Sequence, residues 1–189
     1  MELVLGSGSP RRREYVTSLG LDFVVRPADV DESVRPGEAA LAYLERICDA
    51  KLRAVMGASS PAALVLVADT SVVVDGDVLG KPADAAENAA MITRLAGRAH
   101  DVSTRFALGR GGSTLHAETV TTRVTFRDLG PAHVARYVAS AEGLDKAGGY
   151  AVQGFGAWLV ARIEGSYSNV VGLPMCELVR ALEGVGAFP

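Results

Sequence analysis

The most constraining stretch of this chain is the run Ala63-Leu64-Val65-Leu66-Val67-Ala68, closed by Asp69-Thr70. A short, uninterrupted apolar run of this kind reads as a strand inside a sheet, buried on both faces. It is far too short to span a membrane. Its last residue matters as much as its body, because α/β proteins place reactive groups at the ends of buried strands. Asp69 is therefore a candidate from the outset.

The neighbouring patterns say what surrounds that strand. Residues 3–6 form a short apolar run, and Pro10 then opens a helical pattern that Gly20 stops. A second strand is predicted at 23–25. Helical spacing of Leu41, Leu44, Cys48, Leu52 and Val55 predicts a helix over 36–56. Residues 71–74 continue toward a turn at Asp75-Gly76. Asp84 with Glu87 resembles a capping box, opening a helix to Leu95. Two β-rich stretches, 101–108 and 114–126, flank a flexible glycine loop at 109–112. A helix from Pro131 to Ser140, a glycine-rich segment at 143–156, a strand at 157–163 and a helix over 174–183 complete the chain. Strands and helices alternate early and the middle is antiparallel. The expectation is one mixed α/β domain of two lobes around a cleft.

Composition narrows the function classes. With 49% hydrophobic residues the chain fills a substantial core, and its formal charge of −3 offers no broad cationic surface for duplex nucleic acid. Small polyphosphates need only a local cluster of positive charge. Cys48 and Cys176 are too few for a disulfide scaffold or a structural zinc site, and fit a reducing compartment. The N-terminal residues lack the basic start and long apolar run of a signal peptide. A cytoplasmic protein with no membrane partner is expected. His100, His116 and His133 do not cluster with cysteines, so they receive no metal role.

Four segments carry candidate chemistry. Ser7-Gly8-Ser9-Pro10-Arg11-Arg12-Arg13 puts small residues and arginines where a strand feeds a helix N-terminus. Free N–H groups and guanidinium forks there suit phosphate; the alternative is a solvated basic turn. Asp69, with Lys81 shortly after in Gly80-Lys81-Pro82, fits metal binding or proton acceptance beside phosphate charge, or else a capping Asp and a surface Lys. Asp29, Asp31 and Glu32 form an acidic patch, either a solvated loop or a source of metal ligands. Lys51 shares the buried side of its helix with Leu44, Ile47 and Val55, so it either snorkels to water or reaches into a site. Finally, Asp145-Lys146-Ala147-Gly148 to Gln153-Gly154 and Gly165-Ser166-Tyr167 to Gly172-Leu173-Pro174 are glycine-rich turns. Their Lys and Gln suit the edge of a base.

Taken in order, these segments resemble the Maf family of nucleotide pyrophosphatases over nearly the whole chain. The motifs are residues 5–14, Ala68-Asp69-Thr70 with Gly80-Lys81-Pro82, Asp145 to Gly154, and Gly165 to Pro174. Gly6 stands where the family pattern has alanine. The resemblance implies an inosine-triphosphate-pyrophosphatase-like fold, a homodimer and a divalent cation, Mg²⁺ or Mn²⁺. It maps phosphate contacts to Ser7, Arg11, Arg12, Lys51 and Lys81, and metal ligands to Glu32 and Asp69. Gln153 and Lys146 fall in the later motif, whose form is similar to that of the subgroup acting on dTTP and UTP. The implied reaction releases a nucleoside monophosphate and pyrophosphate, with water activation open between Asp69 and Glu32. A nucleotide-sensing regulator of cell division, binding without essential turnover, is the alternative.

Overall fold

The computed structural model describes residues 2–189. In chain order its elements are β1 (Leu3–Leu5), α1 (Pro10–Ser18), β2 (Phe23–Val25), α2 (Ala40–Gly57), β3 (Leu64–Val74), β4 (Asp77–Leu79) and α3 (Ala85–Leu95). There follow β5 (Ala99–Arg110), β6 (Ser113–Phe126), α4 (Pro131–Val138), β7 (Val160–Glu164), α5 (Tyr167–Val171) and α6 (Met175–Gly184). The strands form one sheet in the order β2-β1-β3-β5-β6-β7, with β4 paired to β3. β1 runs parallel to β2 and β3, whereas β4 and β7 are antiparallel to β3 and β6. The sheet is mixed, as the early alternation and the later hairpins predict.

The chain divides into two compact units. One comprises the segment up to Asp69, Thr104–Val120 and Gly172–Pro189; the other comprises Thr70–Ser103 and Thr121–Val171. In the first, side chains along β1 and β3 alternate between two cores. Leu3, Leu5, Leu64, Leu66 and Ala68 pack with Val16 of α1 and Leu178, Ala181 and Leu182 of α6. Val4, Ala63, Val65 and Val67 pack with Cys48, Leu52 and Val55 of α2. Both faces are covered, which is why the run 63–68 has no polar member. Gly6 extends β1 at a crowded point: a Cβ there would sit 2.7 Å from Val67 Cγ1 and 2.9 Å from Val55 Cγ2. In this chain glycine and two valines share the space.

In the second unit, Val72, Val74, Leu79, Val102, Val124 and Phe126 meet Ile92 and Leu95 of α3 and Val134 and Tyr137 of α4. Asp84 caps α3 by accepting the Glu87 N–H at 2.8 Å. Glu87 reaches back to the Ala83 N–H at 2.6 Å, one residue earlier than a standard capping box.

Several boundaries differ from the sequence reading, each for a local reason. α2 begins at Ala40 rather than Pro36, because Gly37 at φ +73° turns the chain before the helix can start. The glycine loop at 109–112 is shorter than expected: only Gly111 and Gly112 turn, at φ +58° and +82°, while β5 runs through Gly109 to Arg110. Residues 157–159 are not strand. Gly154–Leu159 is a 3₁₀ helix, and the Phe155 and Gly156 N–H groups bond the Glu142 carboxylate instead of a neighbouring strand. α5 has no counterpart among the expected elements; the Ser166 hydroxyl accepts the Asn169 N–H near its start at 3.2 Å. Cys48 is buried, Cys176 is exposed and both thiols are free. Burial pushes the Cys48 thiol up to about 12, so it acts as a small hydrophobe. Among the described residues no helix is long and apolar enough to cross a membrane.

Candidate active site

Within the first unit, Asp69 lies at 9% exposure in the middle of β3 and not at its end as the run 63–68 predicts, because the strand continues to Val74; α2 delivers Lys51 at 7%. Lys51 follows Ile47 and Cys48 on the buried face of α2 and does not snorkel outward. Its Nζ donates to Asp69 Oδ1 at 2.6 Å and lies 2.7 Å from Glu32 Oε1. One ammonium thus bridges the two carboxylates that the resemblance assigns to a metal.

Glu32 comes from a loop, and α2 fixes that loop as well. The Tyr43 hydroxyl donates to the Glu32 carbonyl at 3.0 Å. Arg46 donates from Nε and Nη2 to both oxygens of Glu38, each at 2.6 Å, and from Nη2 to the Ser33 carbonyl at 2.9 Å. The fork holds the Glu38 carboxyl down at about 2, so the clamp stays charged throughout the physiological range. Burial, with the negative charges of Asp69 and Glu32 behind it, pushes the Tyr43 phenol up to about 12, which keeps it a donor. Asp31 belongs to the loop's own structure, accepting the Ser33 N–H at 2.9 Å. Tyr43, Arg46 and Glu38 were not among the expected site residues. Only the helical period shared by Tyr43 and Lys51 could have pointed to one of them.

At the start of α1, Arg12 turns inward. Its Nη1 donates to the Ala68 carbonyl at 2.7 Å and to Ser7 Oγ at 3.1 Å, and its Nε donates to the Gly172 carbonyl at 2.8 Å. Burial lowers the guanidinium's pKa from its ordinary value, opposed chiefly by the charge of Asp69. Arg12 therefore knits the Ser7 turn, the middle of β3 and the Gly172 turn together while adding positive charge beside Asp69. Arg11 precedes it, half-buried in the first turn of α1.

Lys81, Lys146 and Gln153 belong to the second unit. Lys81 is exposed and follows Gly80, whose carbonyl accepts the Gly148 N–H at 2.9 Å. Two of the sequence motifs are thereby joined through their backbones. Lys146 Nζ donates to the Glu142 carbonyl at 2.6 Å and to Asp145 Oδ1 at 2.5 Å. Gln153 is half-buried at the N-cap of the 3₁₀ helix.

The donor set suits a hard divalent cation. Asp69 Oδ1 and Glu32 Oε1 converge on a single positive centre, and Mg²⁺ commonly takes one or two carboxylates together with substrate phosphates. Among the described residues no group of three or more His, Cys, Asp or Glu could hold a metal by itself. A cation here would need the substrate's oxygens to complete its shell.

With this geometry in view, a family model for Maf-like proteins matches residues 2–185. The chain belongs to the Maf family. It is 52% identical to a dTTP/UTP pyrophosphatase of Myxococcus xanthus, covering 97% of this chain and 92% of that one. It is 50% identical to a dTTP/UTP pyrophosphatase of an Anaeromyxobacter species, over 97% and 89%. A third, from Hahella chejuensis, is 48% identical over 97% and 92%. A solved dITP/XTP pyrophosphatase of Mycobacterium abscessus aligns over 98% of both chains, at 14% identity and a TM-score of 0.48, too distant to carry an argument.

Proposed function

We propose that this Maf-family chain hydrolyses dTTP and UTP, and related modified pyrimidine nucleotides, to the monophosphate and pyrophosphate. The observation that carries the reading is the match, at about half identity and nearly full length, to dTTP/UTP pyrophosphatases. The buried Lys51–Asp69 pair supports it, since a charged group is costly to bury without a task or a partner.

In the proposed reaction, water attacks the α-phosphorus in line, a new P–O bond forms, and the bond to the pyrophosphate oxygen breaks. Asp69 orients the water and accepts its proton, with Glu32 as the second carboxylate able to do so. Lys51 keeps both carboxylates in register and supplies positive charge to the phosphate oxygens as pyrophosphate leaves. The N-terminus of α1, Ser7 and Arg11 cradle phosphate, with Arg12 fixing the turn and adding charge. Lys81 adds a further phosphate contact, and Lys146 and Gln153 read the pyrimidine. Asp69 and Glu32 would hold Mg²⁺ or Mn²⁺, which would supply charge neutralisation to the triphosphate. The whole chain acts as one pyrophosphatase domain. The family resemblance supports a homodimer working on the cytoplasmic nucleotide pool, and sedimentation of the purified chain tests the first part.

The deciding experiment incubates the protein with Mg²⁺ and dTTP, UTP, CTP, dITP, GTP or 7-methyl-GTP and resolves the products. Monophosphate plus pyrophosphate from dTTP and UTP is expected. Diphosphate plus phosphate would overturn attack at the α-phosphorus. Tight binding without turnover would move the assignment to a nucleotide sensor.

A further inference from the structure

Glu142 has no place in the motifs, yet in the second unit it touches Lys146 and the turn that follows Gln153. Its carboxylate accepts the Phe155 N–H through Oε1 at 2.8 Å and the Gly156 N–H through Oε2 at 2.7 Å. These two amides lie just after Gln153-Gly154. Its backbone carbonyl accepts Lys146 Nζ at 2.6 Å. The fit is close, because a Cβ on Gly154, itself at φ +66°, would collide with Glu142 Oε1. Two further tethers hold the intervening chain. Asn88 of α3, fully buried, donates from Nδ2 to the Gly149 carbonyl at 2.7 Å, and the Tyr137 hydroxyl accepts the Ala151 N–H at 3.2 Å.

The structure assigns Glu142 as the positioning residue for base recognition: it fixes Lys146 through its carbonyl and the Gln153 turn through its carboxylate. A ligand-reading loop that is left to move must be ordered on binding, and that ordering weakens affinity. Glu142 removes the cost by ordering the loop beforehand. Two charge-assisted bonds to adjacent amides, one to each carboxylate oxygen, define the turn more tightly than one. The inference rests on the proposed pyrimidine nucleotide site and names what gives that site its selectivity.

The test compares wild type with Glu142→Gln, whose amide NH₂ faces one of the two N–H groups and cannot accept from it. KM for dTTP and UTP is expected to rise about tenfold, with kcat at saturation within about twofold. The preference for dTTP over GTP should shrink by a similar factor, while inhibition by pyrophosphate stays unchanged. Amide exchange at 155 and 156 should quicken with the strands unaffected. Faster exchange with an unaltered dTTP/GTP preference would overturn the assignment, as would an equal loss of kcat for every nucleotide. If Glu142→Gln fails to fold, Tyr137→Phe deletes the hydroxyl that accepts Ala151 N–H and bonds the Glu142 side chain, and should move the same ratio in the same direction. Affinities for dTTP and GTP are measured by calorimetry beside turnover. A wild type that binds dTTP without cleaving it overturns the hydrolase reading, while the affinity ratio still decides the role of Glu142.

Discussion

The two groups of candidate residues are held by different physics. In the first unit, Lys51, Asp69 and Glu32 are fixed by ion pairs between side chains, two of them anchored on α2 and β3. In the second, Lys146 and Gln153 sit on a glycine-rich segment held by side chains bonding backbone groups, from Glu142, Asn88 and Tyr137. The first arrangement concentrates charge at rigid positions, which suits a bond-breaking step. The second sets the course of a loop on which half-buried Lys146 and Gln153 are carried for recognition. Substitutions in the charged cluster should therefore strike kcat, and substitutions around the loop should strike KM and selectivity.

The sharpest way to break that contrast is Asp69→Asn. Loss of the proton acceptor should lower kcat by about 10²–10⁴-fold with little change in KM. Setting Glu32→Gln beside it assigns the base, which is the carboxylate whose loss costs more. A nearly normal kcat in both variants would remove the charged cluster from the chemistry.

Lys51→Met comes next. It strips the shared cation from two carboxylates whose oxygens lie 2.6 and 2.7 Å from it, leaving them to repel each other. A divalent cation relieves that repulsion. Mn²⁺ affinity without nucleotide, read by the resonance of the free ion, should rise about tenfold or more, equivalent to at least about 1.4 kcal/mol. Turnover should fall in the same protein, because the charge that faced the phosphates is gone. Unchanged Mn²⁺ affinity would mean that the ammonium does not compete for the carboxylate site.

How far the sequence already carried this contrast differs between the two regions. The continuous run 63–68, the helical period of α2 and the small residues before Pro10 placed the sheet, Asp69 and the inward Lys51, because burial leaves its mark directly in hydrophobic pattern. Nothing local marked the Glu142 carboxylate, whose amide partners lie 13 and 14 residues on and have no identity of their own. The strand expected from 157 begins only at Val160, after a 3₁₀ helix whose first amides that remote carboxylate holds. Arg12 read as a phosphate contact; its further bonds to Ser7, Ala68 and Gly172 were not legible, since these groups lie together only after folding. Asn88 was legible and passed over: it shares the buried face of α3 with Met91, Ile92 and Leu95, the same pattern that singled out Lys51.

The loop should also be the more acid-sensitive region. His100 is 3% exposed and its Nε2 pairs with the Tyr150 hydroxyl at 2.8 Å, within the segment that Asn88 and Glu142 hold. Burial pushes its pKa down from 6.5 to about 4. The unfolded chain therefore takes up a proton below about 6.5 that the native state refuses until about 4, so stability falls as pH drops through that window. At pH 5.5 the loss is about 1 kcal/mol relative to neutral pH. Urea unfolding from pH 7.5 to 4.5 should show this slope in wild type and a flatter one in His100→Phe, whatever the variant's baseline. An unchanged slope in the variant would clear His100 of the effect.

The smallest effect tests whether the loop depends on the helix behind it. Asp84 caps α3 through the Glu87 N–H, and the next residue of that helix, Asn88, donates to Gly149. Asp84→Ala should cost about 1 kcal/mol of stability, a typical N-cap loss. Asp84 touches neither Lys146 nor Gln153, and α3 is further secured by Ile92 and Leu95 in the core of its unit. The cost should therefore appear in the urea midpoint, with amide exchange quickened in the first turn of α3 and KM for dTTP unchanged. A raised KM would mean that fraying at position 84 travels through Asn88 to Gly149. In that case the recognition loop is only as well ordered as the first turn of α3, and its tethers form one cooperative unit rather than separate bonds.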